Sequence, residues 1–259
     1  MSSINTNVAA MTALKTLTMT NKSLDDTQGR IATGYRVAEA SDNAAYWSIA
    51  TGMRTQTGGL SAVQDALGLG AAIVDTAYSA LDDAIGIAQK IFDKYVARST
   101  PGVDTAIIDA EIVELKAQVV QFATGATFQG INMLETGGTA QSVVTGYEAG
   151  TGVTTMSVAA YDLQAAVATM TTALLSETAI DAMSAAAATF GSAKARIAAQ
   201  QTFTTSLTDA LDRGIGQLVD ADLNKESARL SALQVQQQLG IQALSIANQN
   251  SQSILSLFR

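Results

Sequence analysis

The chain has no cysteine and no histidine among its 259 residues. Without thiols and imidazoles it forms no disulfides, has no thiol nucleophile or imidazole base, and lacks the ligands of nearly all zinc and copper sites. Proline occurs once and aromatic residues make up 5%, whereas hydrophobic residues make up 47%. This balance, weighted towards Ala, Leu, Ile and Val, favours long helices packed through small side chains over a compact globular core.

Positive charge is also scarce, with 15 Lys and Arg against 23 Asp and Glu and a formal net charge of −8. Because nucleic-acid phosphates require clustered Lys and Arg, this composition argues against a nucleic-acid partner. The segment Met1 to Asn7 has neither a basic nor an apolar signal region, so no standard secretory signal is expected. Without further information, that indicates the cytoplasm.

The stretch from Leu230 to Phe258 contains no charged side chain. Its apolar residues recur at threes, fours and sevens, which predicts a helix with a coiled-coil period. The stripe consists of Leu230, Leu233, Leu244, Ala247, Ile254 and Phe258, with Gln237, Gly240 and Ser251 in its gaps. The many Gln, Asn and Ser on the other faces suit close packing. They argue against a membrane span, which needs about 20 mostly apolar residues.

The start of the chain has a matching apolar pattern with helical spacing. Its members are Ile4, Val8, Met11, Leu14, Leu17, Leu24 and Ile31. We therefore expect the N- and C-terminal helices to pair, which would join the two ends of the chain into one module. Periodicity alone leaves open the alternative that each helix packs on a different neighbour.

Helices are also predicted for the region after the first stripe. The first helix is expected to stop at Gly34, since glycine readily adopts the left-handed conformation at a helix C-terminus. A second, long helix is expected from Asn43 to about Arg98, with a candidate break at the Gly58-Gly59 pair. The sequence Ser-Thr-Pro-Gly at 99–102 predicts a turn before a third helix.

The middle of the chain is richer in Gly, Thr and Val. Residues 141–147 and 153–158 predict two strands of a small β-hairpin. Helical stretches are expected again at 163–175 and from 177 to about 214, where Gly214 and Gly216 permit a bend. The expected fold class is therefore mainly α, with long antiparallel helices in a coiled-coil-like bundle, a small β-hairpin, and paired terminal helices.

Some local patterns imitate functional sites. Residues 220–224 resemble the start of a calcium loop, but Lys225 stands where that loop needs Gly and Ser231 where it needs Glu. The adjacent carboxylates at 25–26 and 82–83 point in different directions from a helix, so neither pair forms an acid and base facing one substrate. No catalytic, cofactor-binding or metal-binding residues are predicted, and we do not expect an enzyme.

Five short motifs at the two ends together resemble bacterial flagellin. They are INTN at 4–7, QGRIATGYR at 28–36, DNAA at 42–45, ANQ at 247–249 and ILSLFR at 254–259. The resemblance is close at both ends and looser in the middle. It implies a structural subunit, without a cofactor, that polymerises into the flagellar filament used for swimming.

The resemblance also implies a domain organisation. Residues 1–40 with 221–259 would form the inner terminal-helix domain at the filament core. Residues 41–220 would form an outer helical domain with its β-hairpin near 141–158. No additional outer domain is expected, because only the segment from about 137 to 161 is available for one.

The partners implied by the resemblance are further copies of the chain, the filament cap and hook-junction proteins, and an export chaperone on the C-terminal helix. No nucleic acid and no membrane insertion are expected. The implied location is the extracellular flagellum, reached through type III export without a cleaved signal peptide.

The polymer interface is expected to use the apolar stripes of both terminal helices. An amphipathic helix alone does not offset its conformational entropy, so folding of the ends would be coupled to assembly. The residues predicted for this interface are Ile4, Val8, Met11, Leu14, Leu17, Leu24, Leu230, Leu233, Leu244, Ile254, Leu255 and Phe258.

Some flagellins expose a stretch that a Toll-like innate receptor recognises, typically Gln-Arg followed closely by Arg-Glu-Leu. The corresponding residues of this chain are Gln89, Lys90, Phe92 and Asp93. Phe92 stands in place of the second Arg, so the resemblance implies weak or absent receptor activation.

Two alternatives to a filament subunit remain open at this point. A hook-filament junction protein shares terminal helices of this type, but it forms a short ring instead of a growing polymer. A cytoplasmic helical signalling protein, which belongs to a different class, would have two similar long helices meeting at a tip. The β-like segment in the middle of this chain does not fit that pattern.

Overall fold

A computed structural model describes the backbone of residues 7–148 and 150–257 and the side chains of these residues up to 249. The predicted mainly α fold is confirmed. The helices are α1 Val8–Thr33, α2 Ala44–Arg98, α3 Thr105–Gly125, α4 Leu163–Thr169, α5 Ala173–Val219 and α6 Leu223–Leu257. The strands are β1 Thr127–Phe128, β2 Ile131–Asn132, β3 Gln141–Glu148 and β4 Gly152–Val158.

The chain divides into two compact units. Unit 1 comprises Met1–Arg54 and Leu211–Arg259, and unit 2 comprises Thr55–Ala210. These boundaries differ in position from the predicted division at 40/41 and 220/221. The assignment of either part to the inside or outside of a filament stays a prediction.

Unit 1 contains the pair formed by α1 and α6 and a small cluster of buried apolar residues. Gly34 ends α1 in the left-handed conformation, with φ 76°, as predicted. The following backbone pairs with the end of α5, since the N–H groups of Arg36 and Val37 donate to the carbonyl of Val219 at 2.6 and 3.2 Å. Val37 and Val219 are buried together with Ala50 of α2. The entry to α2 is therefore fixed against the exit of α5.

Unit 2 has a larger buried core, shared by its portions of α2 and α5 with α3, α4 and the β-hairpin. Its largest side chains with almost no exposure are Leu67, Leu81, Ile91, Met133, Leu134, Leu163, Met170, Met183, Phe190 and Ile197. Ion pairs at the surface join its helices. Lys94 pairs with Glu111, and Asp75 Oδ1 lies 2.7 Å from Lys194 Nζ. Unit 2 is thus held together by the burial of its apolar side chains, with ion pairs between its helices at the surface.

The β-hairpin predicted near 141–158 is confirmed. β3 and β4 pair antiparallel from Gln141 opposite Val158 to Glu148 opposite Gly152, with an irregularity between Val144 and Gly146. A second, two-residue pair formed by β1 and β2 was not predicted. Its turn places Gln129 and Gly130 at φ 52° and 79°, the left-handed values of a tight hairpin.

The candidate break at Gly58-Gly59 is absent, because α2 continues from Ala44 to Arg98. A Cβ added at Gly59 would lie 2.6 Å from the ring atom Cδ1 of Tyr147, and one at Gly70 would lie 2.4 Å from Cγ1 of Val143. These glycines therefore make room for β3 against α2. Their role is close packing, so they do not interrupt the helix.

The expected helix boundaries after the hairpin were also wrong in detail. α4 ends at Thr169, and α5 runs from Ala173 through Gly214 and Gly216 to Val219. The carbonyl of Met170 accepts hydrogen bonds from the Tyr95 hydroxyl, at 2.8 Å, and from the Lys116 ammonium. In a continuous helix the carbonyl of Met170 would accept a hydrogen bond from a backbone N–H of the same helix, so these tertiary bonds compete with helix continuation. None of the described helices has the length and apolar character needed to cross a membrane.

Candidate assembly interface

The two terminal helices pair antiparallel, as the sequence predicts. The contacts follow one another in opposite directions along the two helices. Asn7 Nδ2 donates to the carbonyl of Ala247 at 3.0 Å, Gln237 Nε2 donates to Asn21 Oδ1 at 2.8 Å, and Arg30 Nη1 lies 3.6 Å from Glu226 Oε1. Asn7 also caps α1, since its Oδ1 accepts from the N–H of Ala10. Asn7 therefore caps α1 and also bonds it to α6.

The inner seam is defined here as the set of residues at which α1 and α6 face each other. All of its members are buried or half-buried. On α1 they are Ala10, Ala13, Leu17, Thr20, Leu24, Thr27 and Ile31, and on α6 they are Glu226, Leu230, Leu233, Gln237, Gly240, Leu244 and Ala247. A Cβ added at Gly240 would lie 3.2 Å from Leu17 Cδ1, so this glycine lets the helices approach closely.

Polar groups in the inner seam are mostly satisfied locally. Thr27 is 2% exposed, and its hydroxyl donates to the carbonyl of Ser23 at 2.8 Å. Other threonines of α1 bond to the carbonyl four residues earlier in the same way. Such bonds keep a threonine-rich helix free of unsatisfied hydroxyls. Glu226, 8% exposed, is an exception, because its Oε2 has no hydrogen-bond partner among the described residues.

α1 has a second apolar side that none of the described residues of unit 1 covers. Val8 is 66% exposed, Met11 is 60% exposed and Met19 is 63% exposed. With about 3.6 residues per turn, these three side chains project away from Leu17 and Leu24 of the inner seam. Leu14, 54% exposed, projects between the two sides.

α6 repeats this arrangement. Val235, Leu239 and Ile246 are all more than half exposed. With Gln242 they are spaced by four, three and four residues, which is a second coiled-coil period on the side opposite Leu233. We call these two exposed sides, formed by Val8, Met11 and Met19 and by Val235, Leu239 and Ile246, the outer seams. Each terminal helix therefore has two apolar sides and covers one of them within the chain.

The predicted interface residues separate into groups. Leu24 and Leu233 are buried in the inner seam, where Leu17, Leu230 and Leu244 are half-buried. Val8, Met11 and Leu14 are exposed. Ile4 and Phe258, and the side chains of Ile254 and Leu255, lie outside the described residues.

Sequence reasoning missed Met19, Val235, Leu239 and Ile246. The spacing of Val235, Leu239 and Ile246 was a usable signal, but the inner stripe of the same helix has more apolar members and dominates the pattern.

Two local patterns that imitate chemical sites have structural roles. Asp222 Oδ1 accepts from the N–H groups of Asn224 and Lys225 at 3.0 and 3.2 Å, so it caps α6. Asn21, part of a glycosylation-like Asn-Lys-Ser sequence, is held by Gln237. Within the described part of the chain, no group of acidic residues is arranged to hold a metal ion. The features that distinguish this region are apolar surfaces.

Comparison with known proteins agrees with this geometry. A model of the bacterial flagellin N-terminal helical region matches residues 4–139, and a model of the C-terminal helical region matches residues 174–258. The chain belongs to the bacterial flagellin family. It is 47% identical to a flagellin of Brucella melitensis and 42% identical to flagellin C of Rhizobium meliloti, with full coverage of both chains in each case.

Other relatives include flagellin FljK of Caulobacter vibrioides, at 39% identity over all of this chain and 99% of the relative. The crystal structure of Bacillus cereus flagellin is 20% identical, with a TM-score of 0.36, and the match covers 66% of this chain and 95% of that one. At that similarity, the family assignment rests on the sequence matches.

As a flagellin, the chain is a structural subunit of the bacterial flagellar filament and not an enzyme. It forms a polymer of its own copies, and that polymer is extracellular. The alternatives of a junction protein and a signalling protein gain no support from these matches.

Proposed function

We propose that the chain polymerises through the outer seams of α1 and α6, while the inner seam holds the two ends of each subunit together. The observation that carries this proposal is the exposure of apolar side chains on the sides of both helices that face away from the pair. Soluble monomers rarely expose a row of large apolar side chains, and exposed apolar patches of this kind mark interaction sites.

Energetics favour covering the outer seams. Fully burying a Val, Leu, Ile or Met side chain contributes about 1.5–3 kcal/mol, and the outer seams contain six such residues. Contacts between different surfaces of neighbouring copies do not have to close into a ring, so they give an open helical polymer. Assembly would therefore draw its energy from surface that the subunit itself leaves in water.

Placement within the filament follows from the same proposal. The part that contains the terminal helices, predicted as residues 1–40 and 221–259, would form the filament core. The remainder, residues 41–220, would form the surrounding layer with its β-hairpin. This placement is supported by the difference in burial between the two surfaces. The outer seams are exposed within one subunit, so neighbouring copies would cover them, whereas the core side chains of unit 2 are already buried within the subunit.

Further partners are proposed from family resemblance. An export chaperone would cover the exposed side of α6 before assembly, when Val235, Leu239 and Ile246 face water. The filament cap and hook-junction proteins would contact the ends of the polymer. Export would proceed without a cleaved signal peptide.

Innate-receptor activation is proposed to be weak. Gln89, Lys90 and Asp93 are exposed on α2, and Phe92 is half-buried. A receptor that requires an arginine at the position of Phe92 would find an apolar ring there. A reporter-cell assay with purified monomer measures this directly, and a strong response would contradict the proposal.

The central experiment compares one substitution at matched residues. Leu239→Glu places a charge in the outer seam of α6, whereas Leu174→Glu places the same charge at a more exposed leucine, 72% exposed, of unit 2. Seeded polymerisation followed by electron microscopy should give long filaments for the intact chain and Leu174→Glu, and none for Leu239→Glu. A variant lacking residues 244–259 should also fail. Normal filaments from Leu239→Glu would overturn the proposed interface.

A further inference from the structure

Tyrosine and tryptophan side chains are more exposed in unit 1 than in unit 2, although Phe203 of unit 2 is 59% exposed. In unit 1, Tyr35 is 40% exposed, Tyr46 is 41% exposed and Trp47 is 37% exposed, and the neighbouring Ile49 is 49% exposed. The other tyrosines, Tyr78, Tyr95, Tyr147 and Tyr161, are all half-buried in unit 2. We call Tyr35 and Trp47 the aromatic patch, because Arg54 lies over the ring of Tyr35 and shares one side of α2 with Trp47.

The aromatic patch stands on a fixed base. Ala50, one turn along α2 from Tyr46 and Trp47, is 1% exposed and packs against Val37 and Val219. Asn43 caps this end of α2, with its Oδ1 accepting from the N–H of Tyr46 at 3.1 Å. The Trp47 ring is therefore presented by an ordered helical turn, which lowers the entropy cost of forming a contact.

A cation lies within this patch. The guanidinium carbon of Arg54 lies 5.4 Å from the centre of the Tyr35 ring, in cation–π geometry. Arg54 and Trp47 are seven residues apart on α2, so they share one side of the helix. No carboxylate forms an ion pair with Arg54 among the residues that the structure describes.

Charge and chemistry indicate what covers this patch. Trp, Tyr and Arg are the residue types most enriched among the dominant contacts of protein interfaces. A partner that supplies apolar side chains and a carboxylate would cover the rings and pair with Arg54. Further copies of this chain have that composition, with an excess of Asp and Glu over Lys and Arg. A polymer of the chain places such copies next to one another.

We propose that the aromatic patch, with Arg54, is a contact between neighbouring copies in the filament and receives an apolar surface and a carboxylate of a second copy. The inference rests on the proposed polymerisation and adds a contact outside α1 and α6. It assigns Trp47 to the centre of that contact and Arg54 to recognition of the carboxylate.

Trp47 reports on this contact without labelling, because it is the single tryptophan of the chain. Fluorescence of the intact chain is measured before and after seeded polymerisation. Covering of the indole should shift its emission to shorter wavelength and lower the acrylamide quenching constant by about threefold or more.

Two variants that each remove one positive charge test the role of Arg54. Arg54→Gln removes the cation of the patch, and Arg196→Gln makes the same change at an exposed arginine of α5 in unit 2. Arg54→Gln should raise the critical concentration for polymerisation by about tenfold, the effect of one lost charge-assisted contact. Arg196→Gln should change it by less than about twofold. Far-UV circular dichroism of both monomers checks that they remain folded.

The outcomes separate this inference from the proposed function. Filaments in which Trp47 is as accessible to acrylamide as in the monomer, with equal critical concentrations for the two variants, would overturn the inference and leave the outer seams in place. Failure of the intact chain to form filaments in electron micrographs would contradict both.

Discussion

The two units of the molecule solve the problem of burial in different ways. Unit 2 surrounds its core with several helices and a β-hairpin, and side chains such as Leu81 and Phe190 have almost no contact with water. In the described part of unit 1, α1 and α6 pack against each other along their length, and Leu24 and Leu233 retain 9% exposure at the centre of their seam. Two helices cannot cover both sides of each other. Unit 2 therefore encloses a core of its own, although side chains such as Ile107, Val113 and Phe203 remain exposed on it, whereas the exposed outer seams of unit 1 are proposed to be covered by neighbouring copies.

The largest expected effect is a loss of stability in unit 2. Phe190→Ala removes a ring that is 1% exposed from the core of unit 2, and it should lower the free energy of unfolding by about 3–5 kcal/mol. Leu174→Ala, at a leucine 72% exposed in the same helix, should change it by less than about 0.5 kcal/mol. Urea denaturation of the monomers measures both values. Similar values for the two variants would contradict the assignment of the core.

A pair of glycines in α2 tests how closely the hairpin packs in unit 2. The Cβ of Gly70→Ala would meet Val143 at 2.4 Å, so overpacking should lower stability by about 1–3 kcal/mol. A Cβ at Gly68 meets nothing within 4 Å, so Gly68→Ala should raise stability by about 0.5–1 kcal/mol through helix propensity. The sign of the change, measured by denaturation, distinguishes packing from helix propensity. Stabilisation by both substitutions would show that β3 is not in close contact with α2.

The inner and outer seams of α1 are separable by one substitution in each. Leu24→Ala creates a cavity between α1 and α6, so amide hydrogens of α1 should exchange about tenfold faster in the monomer, with unit 2 unaffected. Met19→Ala, at an exposed residue of the outer seam, should leave monomer exchange unchanged and raise the critical concentration for polymerisation. Faster monomer exchange in Met19→Ala would place Met19 in the inner seam and contradict the proposed division.

The smallest expected effect concerns a surface ion pair of unit 2. The hydrogen bond and charge of Asp75 raise the pKa of Lys194 above its ordinary value. A raised pKa in the folded state means that the pair contributes its stability below the ordinary lysine pKa and loses it as the pH rises through the folded value. An NMR titration of the Lys194 side chain should therefore show an upward-shifted midpoint, which Asp75→Asn should bring back towards the ordinary value. An unshifted midpoint in the unsubstituted chain would contradict the ion pair.

Much of the fold was predictable because its signals are local. Gly34 ends α1 in the left-handed conformation, and the turn at 99–102 separates α2 from α3 as expected. The hairpin at 141–158 follows from its alternating pattern and glycine-containing turn. These features depend on residues within a few positions of each other, so sequence neighbours carry the information.

Other features depend on which residues meet in space. Gly58-Gly59 and Gly214 have the composition of helix breaks, yet both helices continue, and Gly59 is needed for the approach of Tyr147. The helix after the hairpin ends early because Tyr95 and Lys116 bind the carbonyl of Met170. Neither partner is near in sequence, so no local pattern could reveal the competition.

The sequence by itself determined the two terminal stripes, their coiled-coil period and the family to which they belong, because periodicity and motifs are written along the chain. Only the tertiary structure decided which stripe each helix turns towards its partner and which it leaves in water. Hydrophobic attraction has no direction, so an apolar stripe specifies that it must be buried without specifying against what. Pairing of α1 with α6 uses one side of each, and the geometry of two helices leaves the other side exposed, where we propose that a second copy packs.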